Sequence, residues 1–524
     1  LVMQSQSTIA ADFPTATAAS NFFLSYCTAI NIVYRATRHP RGKANMPSTS
    51  SAPVEPRHSM TPDVHTPRML QGGRLGWGRG GAISAIAVQD TPNRMAAASW
   101  NPFTRIVFRF CFLYFGLYCL LYPQLLTDLA GWLAPGWSRF PDPSTWQLQL
   151  LQPFLQWVGW QVFGVTAVPL VTTGGRDHLI FWILLFCILV VSVVVTAVWT
   201  LLDRRGEYRR LAGWFFVFIR LCVAGAMMNY GLAKLIPTQM PPPALRTLIT
   251  PYGDFTSLDV LWNQVGVSLP YQVLLGAAEV LGAVLLFIPQ TRIAGAILVI
   301  VDIALVFVMD MCFGVYVRTL SGHLLLMSLL LLAPEAQRLV NVLLLDRPAG
   351  ISTAPYPFHT RRSRRIAAGA QMLLGIWVCT AFVPMSVDYW REQHPPESPV
   401  YGIWTVTGFT RDGIDVPPLT TDRTRWRKLI FDEPGWATYQ RMDDSLVDVQ
   451  ATIDIAAHRI ELSDQSNTEP KPLAAFTFHQ EGGDGLRLNG SMNSHPVTIT
   501  LDRVDLSQFP LRSYKFQWVE PKDS

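Results

Sequence analysis

Long uninterrupted apolar stretches dominate the chain between about residues 104 and 387, and short alternating runs replace them towards the C-terminal end. Seven stretches, at approximately 104–123, 179–202, 211–236, 270–289, 293–315, 320–345 and 366–387, each approach the length of about 20 residues that takes an α-helix across the hydrocarbon core of a bilayer. Each is read as a membrane span. Between the first two, Trp146–Val168 is amphipathic and aromatic, with Trp157 and Trp160, and reads as an interfacial or re-entrant helix. Residues 1–95 are rich in Ser, Thr, Pro, Ala and Arg and show no sustained period. The chain opens on Leu1, and Met95 stands just before the first apolar run. The expectation is a disordered extension or a translation start placed too far upstream.

Beyond residue 391 the period becomes two. Val447, Val449, Ala451, Ile453 and Ile455 alternate with Asp448, Gln450, Thr452 and Asp454; Val497, Ile499 and Leu501 alternate with Thr498, Thr500 and Asp502. Such alternation marks strands with one apolar and one wet face. Asp412-Gly413 and Gly482-Gly483-Asp484-Gly485 are turn signals. Eight or so short strands are expected, which suits a small antiparallel β-barrel or β-sandwich. Gly402-Ile403-Trp404 resembles the Gly-x-Trp opening of lipocalin-like barrels. The predicted organisation is therefore an α-helical membrane bundle of about seven transmembrane helices over 96–390, followed by a β-rich domain over 391–524.

Composition agrees. Half of the residues are apolar and 15% are charged, against about 25% charged in ordinary soluble domains. The net charge of +5 is small, and no basic stripe with interleaved aromatics is present, so nucleic acid is not an expected partner. The seven cysteines include no Cys-x-x-Cys, and the β-rich region has none, so neither a disulfide framework nor a zinc site is expected. The arginines set an orientation. Arg105 and Arg109, Arg204 to Arg210, Arg292, and Arg361 to Arg365 fall on one side if the N-terminus is cytoplasmic. Seven spans then place the β domain outside the cytoplasm.

Ionisable residues within spans are costly and mark candidate sites. At about 1.5 Å per residue from the arginine-rich end, Arg220, Glu279 and Asp302 all fall roughly 13–15 Å deep, near mid-bilayer. Arg220 is expected to pair with Glu279, Asp302 or both. A second group, Tyr230, Lys234, Asp310, Arg318 and His323, maps to the opposite ends of its spans and is the candidate ligand site. Tyr230 and Lys234 share a helix face, and Asp310 could pair with Lys234 or Arg318. Both groups are equally open to a structural reading, in which ion pairs fix packing and His323 is a hydrogen-bonded core residue. His178 and His323 stand at span ends, not as facing axial ligands, so no haem is expected. No catalytic triad, phosphate loop or metal-ligand spacing occurs, and no autonomous catalytic activity is expected.

The stretch of about 104–345 resembles the DoxX-like family of bacterial integral membrane proteins. The resemblance is carried by Tyr230-Gly231-Leu232-Ala233-Lys234, Glu279-Val280-Leu281-Gly282, Thr291-Arg292 and Ser321-Gly322-His323-Leu324-Leu325-Leu326. With Pro251-Tyr252-Gly253 and the following β domain, it looks closest to a longer subgroup. The resemblance implies a helical core at about 211–345 and a place in the bacterial cytoplasmic membrane. It also implies a quinone- or lipid-associated accessory role in a membrane redox or envelope system, with lipid, quinone and other membrane subunits as partners. The residues leave two other readings open: a transporter or exporter component with a buried charged relay, and a membrane-anchored ligand-binding sensor or scaffold.

Overall fold

A computed structural model of the chain describes residues 100–122, 124–130, 143–165, 177–350, 352, 354–394, 396, 398–464 and 471–513. The expected extension at 1–95 lies outside the described residues. Among the described residues, seven helices are long and apolar enough to cross a bilayer. They are α1 (Pro102–Leu121), α2 (Leu179–Leu202), α3 (Arg209–Leu235), α4 (Leu269–Phe287), α5 (Arg292–Phe313), α6 (Arg318–Leu332) and α7 (Arg361–Gln393). A 3₁₀ turn and a short helix continue α6 to Leu343.

Local chemistry sets the boundaries. α4 starts with Pro270 in its first turn, where the missing N–H costs nothing. α5 stops at Gly314, which takes the left-handed conformation at φ 71°. α7 has 33 residues, about 50 Å of helix, so it overshoots a hydrocarbon core about 30 Å thick. That excess, beyond the 366–387 stretch read from apolarity alone, carries the chain to the β domain. The aromatic segment between α1 and α2 is a helix, Pro143–Phe163, with Trp157 and Trp160 exposed. Its expected continuation to Val168 leaves the described residues after Val165.

Small residues bring α3 and α4 into backbone contact. A Cβ on Gly276 would lie 2.4 Å from Leu235 N and 2.6 Å from Gly231 O, and one on Gly231 would lie 2.8 Å from Val280 N. Within a lipid-facing bundle such close approach supplies the van der Waals contact that holds helices together. It also fixes the register: Gly231 stands level with Glu279 and Val280, and Lys234 and Leu235 stand level with Gly276.

The C-terminal region is a closed antiparallel barrel. β1 (Gly402–Arg411), β3 (Trp426–Phe431), β4 (Trp436–Arg441), β5 (Leu446–Asp454), β6 (Arg459–Asp464), β7 (Lys471–Glu481), β8 (Gly485–Met492) and β9 (His495–Arg503) pair in sequence order. β1 also pairs with β9, which closes the sheet and excludes the sandwich. The short β2 (Ile414–Asp415) folds back on β1 through Asp412-Gly413, both at positive φ, as a two-residue hairpin loop whose twist matches its strands. A bulge between Val406 and Gly408 bends β1 where it meets β9.

Eight strands enclose a space that side chains can just fill, and here they fill it. Trp404, Phe409, Leu429, Ile460, Phe476, Leu488 and Ile499 are all almost completely buried in one cluster. Trp404 of the Gly-x-Trp opening donates its indole N–H to Val400 O (2.8 Å), and Arg503 lies 5.8 Å over its ring.

Outward-facing Ile403 and Ile430 cover Leu245, which opens the short helix Leu245–Ile249 between α3 and α4. Two polar contacts pin this seam: Leu245 N–H donates to Asp432 Oδ2 (2.5 Å), and Arg246 pairs with Asp448 (2.8 Å). Burial pushes the Asp432 carboxyl up to about 6, helped by Glu433 and opposed by the Leu245 N–H and Arg512. Between its ordinary 3.8 and about 6, the folded protein therefore binds more protons than the unfolded chain. Stability falls as pH rises through that window. Asp432→Asn keeps an oxygen for Leu245 N–H, and is expected to remove this dependence and raise stability at neutral pH by about 2–3 kcal/mol. Unfolding midpoints of both proteins across this pH range check it; the same slope in the variant would contradict it.

Candidate functional site

The bundle's most enclosed ion pair joins the two helices whose backbones touch. Lys234, in the last turn of α3, donates to both oxygens of Glu279 on α4, at 2.8 and 2.9 Å, and the two residues are 6% and 3% exposed. The Lys234 ammonium lies 5.9 Å over the ring of Tyr230, one helical turn earlier. The Tyr230 hydroxyl accepts from Gln124 Nε2 at 2.8 Å. Tyr230 and Lys234 therefore share a face, as their spacing predicts.

The expected pairing of Arg220 with Glu279 or Asp302 is not what the structure contains. Register is the reason. Gly231 is the α3 residue level with Glu279, and Arg220 lies eleven residues, or about 16 Å, further along that helix. Lys234 is near enough for its long arm to run back along α4. Arg220 instead donates to Gln371 Oε1 on α7. It is 4% exposed, and its Nη1 has no hydrogen-bond partner among the described residues. Asp302, on α5, belongs to neither pair and has one buried oxygen, Oδ2, without a hydrogen-bond partner.

The second group also divides. Asp310 is 4% exposed and pairs with neither Lys234 nor Arg318. Arg318 is held by Asp177, whose carboxylate accepts from Arg318 Nε (2.9 Å) and from the backbone N–H groups of Arg318 (2.8 Å) and Thr319 (2.9 Å). An acceptor at the first residues of α6 satisfies otherwise unpaired donors, and this local demand wins Arg318 from Asp310. His323 is a core residue. Its Nδ1 donates to Thr319 O (2.6 Å), which leaves Nε2 to accept from the Tyr114 hydroxyl (2.9 Å), and the Tyr118 ring stacks on it at 4.0 Å.

Two concave features adjoin these groups, at opposite ends of the spans. A cleft at the arginine-rich end is lined by Arg220, Arg292, Glu335 and Tyr356. A larger apolar groove of about 460 Å³ lies at the end that continues into the barrel. Its walls come from Leu235 and Ile236 after Lys234, from Leu269, Gln272 and Val273 of α4, and from Trp390 at the end of α7, with His394 just beyond. The Gln272 amide, oriented with nitrogen toward Met240 O (3.0 Å) and oxygen toward Met240 N (3.2 Å), is satisfied by backbone. His394 stacks on Trp390 with ring centres 4.5 Å apart, and its Nδ1 donates to Trp390 O (2.9 Å). With Nδ1 donating, Nε2 is the ring nitrogen left to accept. Sequence reading missed Asp177, Gln371, Glu335, Trp390 and His394. The spacing of Trp390 and His394, one helical turn apart at the end of a span, was the available signal for the groove.

The chain is similar to the uncharacterized protein YwoB of Bacillus subtilis (strain 168), with 31% identity over 123 residues that make up 24% of this chain and 78% of YwoB. No family model matches the chain. No solved structure matches it.

Proposed function

We propose that this chain, which belongs to the same family as YwoB, binds a membrane amphiphile in the groove between α3, α4 and α7. The supporting observation is an apolar groove of about 460 Å³, within the range of small-molecule sites, next to the buried Lys234–Glu279 pair. Leu235, Leu269 and Val273 offer a tail only apolar contact. At the groove, His394 Nε2 is an acceptor, which suits a head that donates a hydrogen bond: a quinol or another hydroxyl-bearing lipid. In this reading Lys234–Glu279 holds the groove's two principal walls together. The DoxX-like resemblance and a quinone- or lipid-associated accessory role are part of the same proposal. So is placement in the bacterial cytoplasmic membrane with the barrel outside; the supporting observation is that Arg204, Arg205, Arg209, Arg210, Arg292, Arg361, Arg362, Arg364 and Arg365 lie at the span ends away from the barrel.

The two other readings have less support. A relay through Arg220, Glu279 and Asp302 needs these groups to be connected, and Arg220 is bonded to Gln371 while Glu279 is bonded to Lys234. A sensor holding its ligand inside the barrel needs space there, and the barrel interior is filled by its own aromatic and aliphatic side chains.

Protein purified from its own membrane in mild detergent should retain an amphiphile at about one molecule per chain, quantified by solvent extraction and mass spectrometry. Trp390→Ala, which removes one wall, should lower that retention about tenfold, the loss expected when a large aromatic contact to the bound amphiphile is removed. Equal retention by the variant, or none by the wild type, would sink the proposal.

A further inference from the structure

Arg220 poses an electrostatic problem that the surrounding side chains leave unsolved. It is 4% exposed, its one side-chain hydrogen bond goes to the neutral amide of Gln371, and Nη1 has no partner among the described residues. Glu335 is the carboxylate lining the same cleft, and both of its oxygens are already engaged. It accepts from Arg292 (3.1 Å), from Arg338 and from the Ser352 hydroxyl. Two guanidinium groups thus already hold this carboxylate, and Arg220 lines the same cleft without bonding to it. Burying a cation is tolerated when it is paired, and the pairing anion has to come from somewhere.

The cleft itself offers the place. Its volume is about 40 Å³, more than the space of roughly 10–15 Å³ that one water requires, and Arg220, Arg292 and Tyr356 all line it. Gly213, also on its wall, is closely covered by Pro357 and Tyr356, so the segment between α6 and α7 holds one side of the cleft in place. A guanidinium with an unpartnered nitrogen beside a second guanidinium suits a tetrahedral oxyanion, which can accept from both.

We propose that the cleft at Arg220 and Arg292 is a binding site for a phosphate group. It is supplied by the headgroup of an anionic phospholipid or by a free phosphate, and it neutralises the buried Arg220. This site lies at the opposite ends of the spans from the amphiphile groove and does not depend on it.

The test is thermal unfolding of delipidated protein in neutral detergent at constant ionic strength. Three additions are compared: inorganic phosphate, phosphatidylglycerol and phosphatidylcholine. A midpoint raised by phosphate and by phosphatidylglycerol identifies a site for the phosphate group itself. A midpoint raised by phosphatidylglycerol alone identifies the lipid headgroup as the source. Equal effects of phosphatidylcholine and phosphatidylglycerol, or no effect of any addition, would overturn the proposal. Arg220→Gln should weaken the effective anion by about tenfold or more, the loss expected for one charge-assisted hydrogen bond. Because that variant changes the core, Ala354→Glu is the second arm. Ala354 lines the cleft from a partly exposed loop, and a carboxylate there should replace the anion, raising the midpoint without addition and abolishing the response. An Ala354→Glu protein that responds like the wild type would also overturn the proposal.

Discussion

Lys234→Met alone, or Glu279→Leu alone, is expected to destabilise the protein by about 3–5 kcal/mol, because each leaves one uncompensated charge buried between α3 and α4. The Lys234→Met/Glu279→Leu double variant is expected to recover most of that loss. Apolar side chains of similar volume often replace a buried ion pair at little cost. Both oxygens of Glu279 are engaged, neither residue is more than 6% exposed, and the helices meet there at backbone distance. Unfolding midpoints of the four proteins in one detergent form the double-mutant cycle that measures the coupling. Single variants with wild-type midpoints would mean that the two residues do not pair. A stable double variant that no longer retains an amphiphile would separate a role in the groove from a role in folding.

Trp404→Ala is the second large effect, expected at about 3–5 kcal/mol for truncating a buried Trp. Trp404 is 1% exposed, donates to Val400 O at 2.8 Å, and carries the Arg503 guanidinium over its ring. It thereby links the entry to the barrel, β1 and the end of β9. Limited proteolysis of the full chain should show rapid cleavage within 402–503 and slow cleavage within the spans. Trp404→Phe keeps most of the volume but loses the N–H, and should lie between the two. A Trp404→Ala protein whose barrel resists protease like the wild type would refute the role given to this residue.

The fold was largely legible in the chain. Span positions follow from apolar length alone, because lipid demands about 20 apolar residues wherever a helix crosses. Period-two runs such as Val497, Ile499 and Leu501 mark strands for an equally simple reason, and all three face the barrel interior. Closure was not legible: the β1–β9 pairing joins residues almost a hundred positions apart, and no local pattern encodes it.

The charged groups were found as residues but paired wrongly. Depth counted from helix ends put Arg220 level with Glu279, whereas the true register is set by Gly231 and Gly276, where the backbones of α3 and α4 touch. Those glycines were visible in the sequence, but which helix each one faced was not. Lys234 or Arg318 was the expected partner of Asp310 because all three map to the same ends of their spans, while the partner of Arg318, Asp177, comes from before α2 and caps the start of α6. The groove was missed because its walls are ordinary apolar residues from three separate helices, and only folding makes them concave.

The most direct test of the central claim is photo-crosslinking in the native membrane with a benzophenone amino acid at Val273, inside the groove, and at Val301, which is 57% exposed on α5. One discrete amphiphile species should crosslink at 273 and the bulk phospholipid mixture at 301. The same lipid mixture at both positions would contradict it.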